Sequence, residues 1–228
     1  MAHRVAPSSR TGLRLFLDTA DRAAYARWLP TGLFHGVTTN PTILERSGLR
    51  SALPVLADLV ETVLRYPVHE VQAQAWGTET KALVQTGRAL GAIDPRVVVK
   101  VPVTENGMRA VCELHALGIR TTVTAVYASH QALTAAAAGA DYVAPYFGRI
   151  NDAGRDGVAV MHEMRAILAT AGDETRLLVA SLRSADDVAR LAAAGCDTFT
   201  FGTAVAEGLF ADGDTAAASR AFEEAAAR

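Results

Sequence analysis

The chain has 228 residues, 22 of them Lys or Arg against 24 Asp or Glu, and half of its residues are hydrophobic. That length holds the core of one large α/β domain, and a net charge of −2 argues against a nucleic-acid or anionic-membrane partner held by electrostatics. No apolar stretch is long enough to span a bilayer, and residues 1–12 lack the apolar core of a secretory signal. A cytoplasmic protein is expected.

Residues 1–12 read as a disordered tail, followed by one domain from residue 13 to 228. Short apolar runs then alternate with segments of helical period, the pattern of repeated βα units and a parallel sheet. Strands are predicted near Leu13–Leu17, Leu33–Thr38, Val68–Ala73, Val97–Val103, Arg120–Ala125, Tyr142–Tyr146, Leu177–Leu182 and Thr198–Gly202. Helices are predicted over Leu53–Arg65, Lys81–Leu90, Gly107–Leu117, Gln131–Ala138, Val158–Thr170 and Ala185–Ala193. Gly118, Gly139 and Gly195 follow helices and suit the left-handed position that ends them. Eight strands without a linker favour a (β/α)8 TIM barrel with a C-terminal helix; the flavodoxin-like or Rossmann sheet is the rival and lacks its glycine fingerprint. Cys112 and Cys196 have no metal-ligand spacing and read as reduced core residues. The histidines have no assigned role. No metal or nucleotide cofactor is expected.

Lys100 is the residue that does not fit. It lies in Val97-Val98-Val99-Lys100-Val101-Pro102-Val103, a run that reads as a buried strand, whereas Lys81, the other lysine, lies in a polar surface stretch. A buried ammonium escapes its desolvation cost by pairing or by losing its proton, and a neutral buried lysine is a nucleophile towards carbonyls. The alternative is a structural ion pair. Strand alternation puts Asp18, Glu70, Gln72, Gln74, Lys100, Thr122, Thr124, Tyr146, Ser181 and Arg183 towards the barrel interior, as a polar cup. Asp18 and Glu70 either neutralise Lys100 or leave one carboxylate over for proton transfer. Asn40 before Pro41 either caps a helix or points its amide into the cup. Arg149 and Arg183, with Ser181, sit at late strand ends where barrels hold phosphate.

Phe16-Leu17-Asp18-Thr19-Ala20, Gly36-Val37-Thr38-Thr39-Asn40-Pro41, Val98-Val99-Lys100-Val101-Pro102-Val103-Thr104 and Ala144-Pro145-Tyr146-Phe147-Gly148-Arg149-Ile150 resemble the transaldolase family. The similar branch is the short one, with bacterial transaldolases and fructose-6-phosphate aldolases. The resemblance implies metal-free class I aldol chemistry on a (β/α)8 barrel, with Lys100 as Schiff-base lysine and Asp18 as proton-handling acid. It further implies that Glu70 and Thr124 hold the catalytic water, that Thr39, Asn40 and Tyr146 contact the substrate, and that Arg149, Ser181 and Arg183 bind its phosphate. Transfer of a dihydroxyacetone unit between sugar phosphates, in the pentose phosphate pathway or a specialised sugar pathway, is the expected activity. Release of free dihydroxyacetone by a lyase, or non-catalytic sugar-phosphate binding, are the alternatives; a pyridoxal-phosphate barrel would use a buried lysine too. Ala144 and Tyr146 are similar to the aldolase branch, whereas Glu70 is similar to the transaldolases, since aldolases carry glutamine there. The family forms pentamers and decamers with a C-terminal segment that wraps a neighbour, so a homo-oligomer is implied; this chain stops sooner, at Arg228.

Overall fold

The computed structural model describes residues 12–172 and 174–228; the expected tail at 1–11 lies outside them. Eight parallel strands close into a barrel in sequence order. They are β1 (Arg14–Asp18), β2 (Phe34–Thr38), β3 (Glu70–Gln74), β4 (Val97–Pro102), β5 (Thr121–Val126), β6 (Tyr142–Pro145), β7 (Arg176–Val179) and β8 (Thr198–Phe201). Helices α1 (Arg22–Trp28), α2 (Pro41–Arg46), α3 (Leu53–Leu64), α4 (Thr80–Gly91), α5 (Glu105–Ala116) and α6 (Ser129–Ala137) lie between the first six. The rest are α7 (Phe147–Asp152), α8 (Gly157–Thr170), α9 (Ala185–Ala193), α10 (Thr203–Gly208) and α11 (Gly213–Ala226). All eight predicted strands and six predicted helices are present. The short helices α1, α2, α7 and α10 carry too few turns for their period to stand out in sequence.

Local chemistry fixes the helix starts. Asp156 Oδ1 accepts from the amides of Val158 and Ala159, and Ser184 Oγ accepts from the Asp187 amide. Each satisfies amides that have no partner inside the helix. Gly118, Gly139 and Gly195 have φ of 71°, 78° and 87°, so each predicted helix stop adopts the left-handed conformation.

Strand alternation divides the apolar residues into two cores. Leu17, Val37, Val71, Ala73, Val99, Val101, Val123, Val143, Val179 and Phe199 face the helices. Phe16, Val98, Tyr142, Ala144 and Leu178 fill the barrel axis. Gly36 on β2 lets β3 come close: a Cβ there would lie 2.2 Å from the Glu70 carbonyl oxygen. Phe222 of α11 is 71% exposed, and no residue of that helix is buried. No helix among the described residues is long and apolar enough to cross a membrane.

Candidate active site at the strand C-termini

The C-terminal mouth of the barrel holds a cavity of about 420 Å³. Its floor is Lys100, with Asp18, Gln74, Thr124, Ala144, Ala180 and Thr200 around it. The wall is formed by Asn40, Thr42, Ile43 and Arg46 on the β2 side, and by Tyr127, Tyr146, Arg149 and Ser181 on the β5–β7 side. Lys100 is only 4% exposed, and its burial lowers the amine pKa while the Asp18 carboxylate opposes that fall. Among the described residues Lys100 makes no ion pair, so Asp18 acts on it through space. Desolvation without a contacting counter-charge favours the neutral amine.

Asp18 is held from one side. Thr38 Oγ1 donates to its Oδ1 at 2.6 Å and lies 2.6 Å from Thr200 Oγ1, linking β1, β2 and β8. On the far side of Lys100 the Thr124 and Tyr146 hydroxyls are 3.1 Å apart. Tyr146 also carries Arg149: the guanidinium carbon sits 4.9 Å from its ring centroid, and Arg149 Nη1 donates to the Tyr127 hydroxyl at 3.2 Å. The Tyr127 and Tyr146 rings meet edge to face at 5.5 Å. One connected group therefore joins a hydroxyl pair near the amine to a cation at the rim.

Two non-glycine residues adopt left-handed backbone here, Ala125 with φ 59° and Ser181 with φ 61°, and both line the cavity. Each costs about 1–2 kcal/mol, which the surrounding barrel supports. Ser181 is on the wrong parity to face inwards, since Leu178 is the inward residue of β7; the left-handed turn brings it to the wall. Gly148 is required beside it, because a Cβ would meet the Ser181 carbonyl oxygen at 2.4 Å.

The structure thus brings Lys100, Asp18, Thr124, Asn40, Tyr146, Arg149 and Ser181 to one cavity. Asn40 does both things weighed for it. Its Oδ1 accepts from the Ile43 amide at 3.0 Å and caps α2, while the residue lines the cavity, where Nδ2 supplies donors. Thr39 is not on the wall; it is fully buried and its hydroxyl has no partner among the described residues. Arg183 is not on the wall either, being an exposed side chain that pairs with Asp152.

Glu70 is the main correction. It opens β3 at the opposite end of the barrel, 2% exposed, with Arg120 Nη2 2.7 Å from its Oε2 and Gln72 Nε2 3.2 Å from its Oε1. Inward parity alone did not distinguish the two ends of the strand. Gln74 is the β3 residue at the cavity, and Gln72 lies between the two, accepting from Thr122 Oγ1 at 2.9 Å. Counting back from the C-terminal end of β3 would have found Gln74. Arg46 and Tyr127 were also missed, because each lies beyond a strand, where alternation no longer applies. Cys196 is buried as expected but Cys112 is exposed on α5. No group of three or more His, Cys, Asp or Glu able to hold a metal ion occurs among the described residues.

Residues 15–228 match the family model described as Transaldolase/Fructose-6-phosphate aldolase. The chain is 40% identical over 198 residues to a probable transaldolase of Phenylobacterium zucineum (strain HLK1), covering 87% of this chain and 89% of the relative. A probable transaldolase of Caulobacter sp. (strain K31) matches with the same identity and coverage. One from Carboxydothermus hydrogenoformans is 34% identical over 203 residues, covering 89% and 92%. A closed eight-stranded barrel with a buried lysine at its mouth and a family match over nearly its whole length place this chain in the transaldolase/fructose-6-phosphate aldolase family.

Proposed function

We propose that Lys100 forms a Schiff base with a ketose phosphate and that the protein transfers a dihydroxyacetone unit to an aldose phosphate. The observation that carries this reading is a buried lysine with no ion pair among the described residues, its pKa lowered, at the floor of a cavity lined by hydroxyls and a carboxylate. The neutral amine attacks the ketone carbon, and loss of water gives an iminium. Asp18 takes the proton from the hydroxyl on the far carbon of the bond that breaks, that carbon becomes the aldehyde of the departing aldose phosphate, and the three-carbon enamine stays on Lys100. A water held by Thr124 and Tyr146 carries the protons of iminium formation and hydrolysis. Arg149 with Ser181 binds the phosphate, Arg149 being oriented in advance by Tyr127 and Tyr146.

A second reading, release of free dihydroxyacetone, is favoured by the placement of Glu70. With Glu70 at the far end, Gln74 is what β3 brings to the cavity, beside the aldolase-like Ala144 and Tyr146. The two readings share every step up to the enamine. Incubation with fructose 6-phosphate alone separates them: transfer predicts stoichiometric retention of the three-carbon unit until erythrose 4-phosphate is added, and continuous release of dihydroxyacetone without acceptor supports the lyase.

The active form is proposed to be a homo-oligomer, supported by α11 and its exposed Phe222 and by the exposed Phe210. Sedimentation at the expected monomer mass of 24.0 kDa over a wide concentration range would contradict it.

A further inference from the structure

No step of the proposed reaction uses Gln74, which ends β3 and lines the cavity beside Lys100. The two residues pair in register across β3 and β4, so their side chains leave the sheet on the same face. Neighbouring strands lie about 4.8 Å apart, and the amide therefore stands alongside the lysine rather than across the cavity from it. Gln72, two residues earlier, is fully buried and already accepts from Thr122 Oγ1. Gln74 is half-buried and makes no hydrogen bond among the described residues. Its carbonyl oxygen and both amide hydrogens are available to a ligand.

The topology sets which end of a sugar meets that amide. Arg149 follows β6 and Ser181 follows β7. In a barrel closed in sequence order β3 is four strands from β7, so Gln74 and Ser181 stand on opposite sides of the mouth. A ketose with its phosphate on the β6–β7 side and its carbonyl carbon on Lys100 turns its short end, C1 and its hydroxyl, towards β2 and β3. Two amides are there. Asn40 Oδ1 is taken by the Ile43 amide at 3.0 Å, which leaves Asn40 only donors to offer, whereas Gln74 still offers an acceptor. A hydroxyl both donates and accepts, so it satisfies the pair. A methyl does neither, and a carboxylate cannot donate.

We infer that Gln74 is a specificity-determining residue whose Oε1 accepts from the C1 hydroxyl of the donor ketose. The site thereby selects sugars that deliver an uncharged dihydroxyacetone unit over 1-deoxy ketoses, which would deliver hydroxyacetone. This rests on the proposed Schiff-base reading and holds whether the enamine is transferred or released.

The test compares fructose 6-phosphate with 1-deoxyfructose 6-phosphate, using full-length protein in excess so that one turnover is followed without an acceptor. Release of the aldose phosphate gives a rate constant for each sugar, and their ratio cancels any loss of active protein. Gln74→Met keeps the length of the side chain and removes the acceptor. It is expected to lower the ratio about tenfold, the scale of one hydrogen bond, with the loss falling on fructose 6-phosphate. Gln74→Leu is expected to do the same, so the outcome does not hang on one variant folding. A ratio unchanged from wild type, whether both rates hold or both fall together, overturns this inference and leaves the Schiff-base reading standing. So does failure of both variants to fold, which would make Gln74 a structural residue. Absence of aldose phosphate release from either sugar by the wild type overturns both.

Discussion

Glu70 and Lys100 face the barrel interior from neighbouring strands, yet they belong to opposite ends of it. Lys100 pairs in register with Gln74, four residues beyond Glu70, and Glu70 instead meets Arg120 just before β5. The half of the barrel that carries the proposed chemistry and the half that holds the Glu70–Arg120 pair are thereby separated along single strands, as expected where chemistry sits at strand C-termini.

Glu70→Gln is therefore predicted to cost stability and spare the chemistry. Removing the charge leaves Arg120 short of its buried partner, a loss of about 1–3 kcal/mol after allowance for the half-exposed guanidinium. The melting temperature should fall by roughly 2–10 °C, with Schiff-base formation per folded molecule unchanged. Stability retained together with loss of adduct would return Glu70 to the reaction.

Lys100→Met is predicted to stabilise the fold. Burial lowers the Lys100 pKa, so the unfolded chain binds the proton more tightly than the folded one. The resulting cost is full below the folded pKa and disappears as pH rises to the ordinary lysine range. Thermal melts should show the variant more stable by a few degrees at pH 7, with the gap closing in alkali. A less stable variant at pH 7 would mean that Lys100 is a structural cation.

Acid should act first on the closed end of the barrel. Burial holds His35 at about 4, below its ordinary 6.5, with the stacked His69 ring at 4.7 Å and Arg14 and Arg120 reinforcing the shift against the pull of Glu70. The native state binds fewer protons than the unfolded state between those values, so stability drops as pH falls from about 6.5 to 4 and is not regained below. His35→Phe should flatten that part of the stability–pH curve in denaturant titrations. An unchanged slope would show that His35 is protonated in the fold.

Tyr146→Phe removes the hydroxyl 3.1 Å from Thr124 while keeping the ring under Arg149. Turnover should fall about a hundredfold, the scale of a lost proton-transfer group, with KM for the sugar phosphate little changed. A raised KM at constant kcat would assign Tyr146 to binding alone.

Much of this was legible in the sequence because two periodicities are strong. Valine-rich runs and helix-stopping glycines mark the strands and their spacing, and the break in one run exposes Lys100. Alternation correctly aligned Asp18, Thr124 and Tyr146 with that lysine, but it carries no information about depth along a strand, so Glu70 passed for a neighbour. Ser181 reaches the wall through a left-handed backbone that a serine does not advertise. Arg46 and Arg183 look alike as loop arginines; only the three-dimensional packing puts one on the wall and pairs the other with Asp152.

The central claim is that Lys100 is the nucleophile. Borohydride reduction in the presence of fructose 6-phosphate, followed by peptide mass mapping, tests it directly. The account predicts one reduced three-carbon adduct per chain, located on Lys100, formed faster as pH rises and lost in Lys100→Met. An adduct on Lys81, or one that persists in Lys100→Met, would contradict it.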